Sequence, residues 1–109
     1  MFKETSKELL DFLSKSPTAF HAVENYRQIL NADGFKELLE SEHWDIVPGG
    51  KYYVTRNNTS ILAFKVGTKL DNYSFNIVTS HTDSPTFKVK ENAEIEVKNK
   101  YTQLNTEGY

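Results

Sequence analysis

The sequence predicts an α/β fold in which N-terminal helices pack on a mixed β-sheet. Apolar residues recur at helical spacing through roughly the first third of the chain. From Trp44 onward the texture changes to short β-rich runs separated by turn residues. Helices come first and strands follow, the order expected when helices cover one face of an antiparallel or mixed sheet. A length of 109 residues suits one small domain with one core. Such a unit buries the helical stripes, and its other sheet face must be polar or covered.

The first helix is expected over Thr5 to Lys15, where Leu9, Leu10, Phe12 and Leu13 form an apolar stripe. "KSPT" breaks it, with Ser16 placed to cap the next helix and Pro17 suited to its first turn. In the second helix Ala19, Ala22, Val23, Tyr26, Ile29 and Leu30 share one face, and Gly34 of "NADG" ends it. His21 lies within that helix and reads as a packed, hydrogen-bonded histidine and not as a ligand. "FKELLES" reads as one further short helix.

Two β-rich runs follow, Lys51 to Arg56 and Ser60 to Val66, with Asn57-Asn58 suited to the hairpin turn between them. "TKLDNY" is a polar loop. "SFNIVTSH" reads as a largely buried strand ending at His81, interrupted by Pro85, which cannot donate to a ladder. "TFKVK" and "AEIEVKN" alternate apolar and polar residues, as half-exposed strands do. "YTQLNTEGY" carries no helix cap and no evident closing element.

Composition narrows the function. With 38% hydrophobic and 26% charged residues the chain has an ordinary soluble composition. Thirteen basic against fifteen acidic side chains leave a formal charge of -2, which gives no electrostatic reason to expect nucleic acid or an anionic membrane as partner. The absence of cysteine excludes disulfides and thiolate zinc sites, so any metal must be held by histidine and carboxylates. "MFKETSKELLDF" has no continuous apolar core, and no stretch approaches a membrane span, which points to a cytoplasmic protein.

The candidate chemistry sits at "VTSHTDSPTFKVK". Alternation along an extended backbone turns His81 and Asp83 to one side and Thr82 to the other. A metal-bound imidazole usually gives its second N–H to a carboxylate or carbonyl, and Asp83 is placed for that task. The same residues also fit a plain polar turn, with Asp83 and Ser84 satisfying local N–H groups before Pro85. Ser80 and Ser84 lack the Gly-x-Ser-x-Gly surroundings of a nucleophile elbow. "PGGK" lacks the spacing of a phosphate loop. Lys88, Lys90, Lys98 and Lys100 read as a solvated strand face that protects a sheet edge.

"SHTDSPTFKVK" resembles the signature of the M18 metallopeptidases, the aspartyl aminopeptidase family. "LLDFLSKSPTAFHAVENYRQIL", "GGKYYVTRNNTSILAFKVG" and "LNTEGY" resemble further parts of that family, in order, so the likeness covers essentially the whole chain. The resemblance implies the N-terminal part of the catalytic domain, an αβα zinc-peptidase sandwich, with residues from about 90 to 109 leading toward an inserted dimerisation domain. It implies a zinc aminopeptidase with two metal ions that removes N-terminal, often acidic, residues from peptides, and that assembles into large homo-oligomers. Under it His81 is a zinc ligand and Asp83 the acidic catalytic residue beside it. The family's bridging Asp, Glu pair, further acidic ligand and second His lie beyond the point matching Tyr109. One His and one Asp are too few to hold zinc tightly, so the chain alone is expected to be inactive and free of tightly bound zinc. The alternative is a short, non-catalytic binding or assembly module derived from the same fold.

Overall fold

The computed structural model describes residues 1–72 and 74–108. Tyr73, at the end of the expected polar loop, and Tyr109, at the end of the closing stretch, lie outside the described residues. Two helices open the chain, α1 (Phe2–Lys15) and α2 (Ala19–Ala32). A three-stranded sheet follows, built from β1 (Lys36–Glu37), β2 (Lys51–Arg56) and β3 (Ser60–Lys65) in the order β1-β2-β3. β1 runs parallel to β2, and β2 antiparallel to β3, so the sheet is mixed. A separate two-stranded hairpin, β4 (Phe87–Val97) and β5 (Tyr101–Gly108), completes the described fold.

The α1–α2 corner differs in detail from the sequence expectation. Ser16 closes α1, its N–H bonding to the Leu13 carbonyl at 3.1 Å, and it does not cap α2. Its buried hydroxyl accepts from Asn25 Nδ2 at 2.9 Å, and the same amide donates to the Lys15 carbonyl at 3.0 Å. The cap of α2 is Thr18, extended at φ -132 and ψ 164, whose Oγ1 accepts from the His21 N–H. Pro17 explains the shift, because it leaves Thr18 as the last non-helical residue and the first able to reach a free helix N–H. His21 is hydrogen-bonded, as expected, through Nδ1 to Thr18 Oγ1 at 2.7 Å, but it is exposed at the helix start and not packed.

α2 ends in a Schellman turn. Gly34 takes φ +81, its N–H reaches the Asn31 carbonyl at 3.1 Å, and the Phe35 N–H reaches Leu30 at 2.9 Å. The turn redirects the chain onto the sheet, so "FKELLES" does not form the expected helix. Lys36–Glu37 pair with β2, and the Leu38 N–H bonds to the Tyr53 carbonyl at 2.8 Å. A ladder partner and the burial of Leu38 outweigh the local helix preference.

The core centres on β2, with Tyr53 on the side of α2 and Tyr52, beside Phe64, on the other. Ala22, Val23, Leu38, Tyr52, Tyr53 and Val54 are buried, and Tyr53 is wholly so at 0% exposure. The Tyr53 hydroxyl donates to Asn31 Oδ1 at 3.0 Å, which ties the sheet to the end of α2. Arg27 adds a second tie, to Glu37 of β1 at 2.9 Å. Hydrogen bonds to its neighbours raise the Arg27 guanidinium pKa above its ordinary value. Gly50 is required where it stands, since a Cβ there would sit 2.5 Å from the Tyr52 ring. α1 has no buried residue, contrary to the expected burial of its stripe. It touches α2 through the Phe12–Tyr26 ring pair at 4.7 Å while Leu9, Leu10 and Leu13 stay exposed.

Beyond β3 the architecture opens. The expected buried strand over "SFNIVTSH" is not formed among the described residues: 74–81 form no strand and lie exposed. Val78 is 99% exposed and Ile77 77%. A strand needs a neighbour, and a groove of about 670 Å³ lined by Leu62, Phe64, Leu70, Phe75 and Ile77 lies between this segment and β3. "TFKVK" and "AEIEVKN" join into the single strand β4, and the closing stretch becomes its partner β5. The β4–β5 register shifts between Val89 and Glu94: Val89 faces Thr106, whereas Glu94 faces Leu104. Lys88 and Lys90 lie on β4, but Lys98 and Lys100 lie in the turn that follows it and on no strand. The radius of gyration is 20.4 Å, against about 13 Å for a compact chain of this length.

Candidate metal centre

The β2–β3 hairpin forms one support of the site. Asn57 and Asn58 take φ 52 and 55, as a type I′ turn requires, and the Thr59 N–H closes it on the Arg56 carbonyl at 3.1 Å. At the strand ends Arg56 pairs with Glu40, and that hydrogen bond holds the Glu40 carboxyl below its ordinary range.

The segment carrying His81 passes this turn. Thr82 Oγ1 donates to the Thr59 carbonyl at 2.7 Å, so its side chain faces the hairpin. His81 Nδ1 lies 2.9 Å from the Asp83 carbonyl and 3.2 Å from Asp83 Oδ1. Both partners are acceptors, so Nδ1 carries the proton and donates. Nε2 is then left with its lone pair, the arrangement in which an imidazole binds a metal. The His81 side chain is 77% exposed and that of Asp83 46%, which leaves the pair open to solvent. His81 and Asp83 are thus brought together, while the Thr82 side chain reaches the hairpin.

The pair fits one ligand position of a metal site. Among the described residues no group of three or more His, Asp or Glu side chains converges on a common point. His43 stands apart, its Nε2 3.8 Å from Asp45 on an exposed turn, and His21 is engaged at the α2 cap. The contact of Thr82 with Thr59 was not legible, because its acceptor is a backbone carbonyl 23 residues away.

Residues 12–109 match the family described as aminopeptidase I zinc metalloprotease (M18). The chain belongs to the M18 family. A probable M18 family aminopeptidase 2 of Clostridium novyi is 50% identical over 105 residues, covering 95% of this chain and 24% of the relative. An aspartyl aminopeptidase of Dictyostelium discoideum is 44% identical over 105 residues, covering 95% and 22%. Solved M18 structures share the fold. That of Chaetomium thermophilum mApe1 aligns with TM-score 0.81 at 35% identity, over 97% of this chain and 24% of its own. A dodecamer of S. cerevisiae mApe1 aligns with TM-score 0.72 at 28% identity, over 99% and 26%. The chain therefore spans about a quarter of the length of the M18 proteins it matches. Among the described residues no helix is long and apolar enough to cross a membrane.

Proposed function

We propose that this chain is the N-terminal portion of a zinc-dependent aminopeptidase that removes N-terminal, acidic residues from peptides. The observation that carries the reading is the His81–Asp83 pair, with Nδ1 committed to Asp83 and Nε2 left as a ligand. In this reading His81 supplies one ligand of a two-zinc centre, and Asp83 is the acidic catalytic residue that fixes its tautomer. When bound, zinc lowers the pKa of a water molecule and polarises the scissile carbonyl. Asp83 keeps the proton of His81 on Nδ1 and the ring aimed outward. The remaining ligands come from sequence that this chain does not contain, so the 109 residues alone are inactive and hold no zinc tightly.

The preference for acidic residues rests on the name of the Dictyostelium relative, and homo-oligomer formation on the yeast dodecamer. Residues up to about Pro85 belong to the catalytic domain, and about 90–109 lead toward an inserted dimerisation domain, a division that the separate β4–β5 hairpin supports. The protein is cytoplasmic, without nucleic-acid or membrane partners, in keeping with its composition.

The test uses the longest natural gene product that contains these residues. Zinc content and hydrolysis of peptides beginning with Asp, Glu or Leu are compared in wild type and His81→Ala. Peptidase activity is expected to fall more than about 100-fold with loss of bound zinc, beyond the effect of removing an outer partner. Full zinc and full activity in His81→Ala would overturn the reading. Equal rates on Asp and Leu peptides would remove the acidic preference alone.

A further inference from the structure

The segment that carries His81 and Asp83 forms no strand among the described residues, and residues 79–81 and 83–86 are exposed. Such a segment cannot hold an imidazole in one direction by its own backbone. Among the described residues Thr82 is the half-buried exception, and its hydroxyl donates to the Thr59 carbonyl at 2.7 Å. Thr59 lies between the last paired residues of β2 and β3, Arg56 and Ser60, where its carbonyl stands at the turn and outside the register. The turn is itself defined, by positive φ at Asn57 and Asn58 and by the Thr59–Arg56 hydrogen bond. A rigid hairpin is thus joined to the segment at the one residue between the two functional side chains.

We propose that Thr82 is a positioning residue, which anchors the His81–Asp83 pair to the β2–β3 turn and thereby sets the direction of His81 Nε2 toward a divalent metal ion. The inference rests on the reading of His81 as a ligand. The Thr82–Thr59 bond supplies the mechanism: with Thr82 pinned to the turn, the backbone that carries His81 on one side of it and Asp83 on the other is held against the hairpin. Threonine suits the task, since its β-branch restricts χ1 and its hydroxyl donates. Valine keeps the shape and removes only the donor.

The experiment uses the longest natural gene product containing this chain, with Thr82→Val, Thr82→Ser, Thr82→Ala and His81→Ala. Zinc affinity is read by competition with a chromogenic chelator, kcat and KM on a peptide substrate, and Tm on the metal-free protein. Thr82→Val is expected to bind zinc about 10–100-fold more weakly, the usual cost of losing a group that orients a ligand. Its kcat is expected to fall with KM little changed, its metal-free Tm to stay near wild type, and Thr82→Ser to restore the affinity. Wild-type zinc affinity and kcat in Thr82→Val overturn the proposal. So does an equal loss in Thr82→Ser, or unfolding of both metal-free Thr82→Val and Thr82→Ala, which would make the residue structural. If only Thr82→Val fails to fold, the Thr82→Ala and Thr82→Ser pair decides by the same criteria. If His81→Ala keeps full zinc and activity, the ligand reading itself has failed, whatever the Thr82 variants do.

Discussion

The chain up to Val66 and the chain beyond it use similar apolar alphabets, but among the described residues only the first buries any of its large apolar side chains. In the first region Val23 and Tyr53 are buried to 1% and 0% exposure, because α2 lies on a sheet whose strands pair with one another. In the second, Phe75, Ile77, Val78 and Phe87 remain between 77% and 99% exposed. The difference lies in cover and not in composition. An apolar residue is buried only where an element is present to close over it, and the described residues supply such an element to the first region alone.

That contrast can be broken most sharply at Tyr53. Tyr53→Ala removes a fully buried ring and its hydroxyl bond to Asn31, and is expected to destabilise the 109-residue chain by about 3–5 kcal/mol in urea denaturation. A loss below about 1 kcal/mol would mean that the first region has no consolidated core. The α2 cap sharpens the same contrast on a smaller scale. Thr18→Ala should cost about 1 kcal/mol, with His21→Ala showing whether the Nδ1 contact adds to the cap. The smallest effect on stability is expected in the second region. Val78→Asp, at a 99% exposed position, should alter the stability of this chain by less than about 0.5 kcal/mol. The same variant should reduce self-association in sedimentation, because it places a charge on an exposed apolar segment. A large loss of stability there would show that the segment is covered after all.

What was legible in the sequence follows the same division. The end of α2 at Gly34 and the Asn57–Asn58 hairpin depend on neighbours within a few residues, and both form as read. Of the expected α2 face, by contrast, only Ala22 and Val23 are buried, and Ile29 is 55% exposed. The cap was misplaced by two residues, from Ser16 to Thr18, because both are good caps and only the path of the chain after Pro17 selects between them. "FKELLES" carries no local sign of its strand, because the partner that draws Lys36–Glu37 into a ladder lies in β2. The turn at Lys98–Asn99 repeats the positive φ values of Asn57–Asn58, at 51 and 54, but a lysine there gives no warning of them. At the site, the His81–Asp83 juxtaposition was readable because the two residues stand only two positions apart. The bond that steadies it was not, since Thr82 finds its acceptor across the fold.

The shifted register of the β4–β5 hairpin has a geometric consequence. β5 runs without interruption, so its residues keep strict alternation, while β4 accommodates four residues between Val89 and Glu94 where β5 has only Asn105. The offset is odd, and an odd offset exchanges the two sides of a strand. Phe87 and Val89 therefore project with Leu104 on one side of the ribbon, whereas Ile95 and Val97 project with Tyr101 on the other. What reads in sequence as one apolar stripe every second residue is two half-stripes, back to back. A flat surface can meet either half, and only a surface that wraps around the ribbon can meet both.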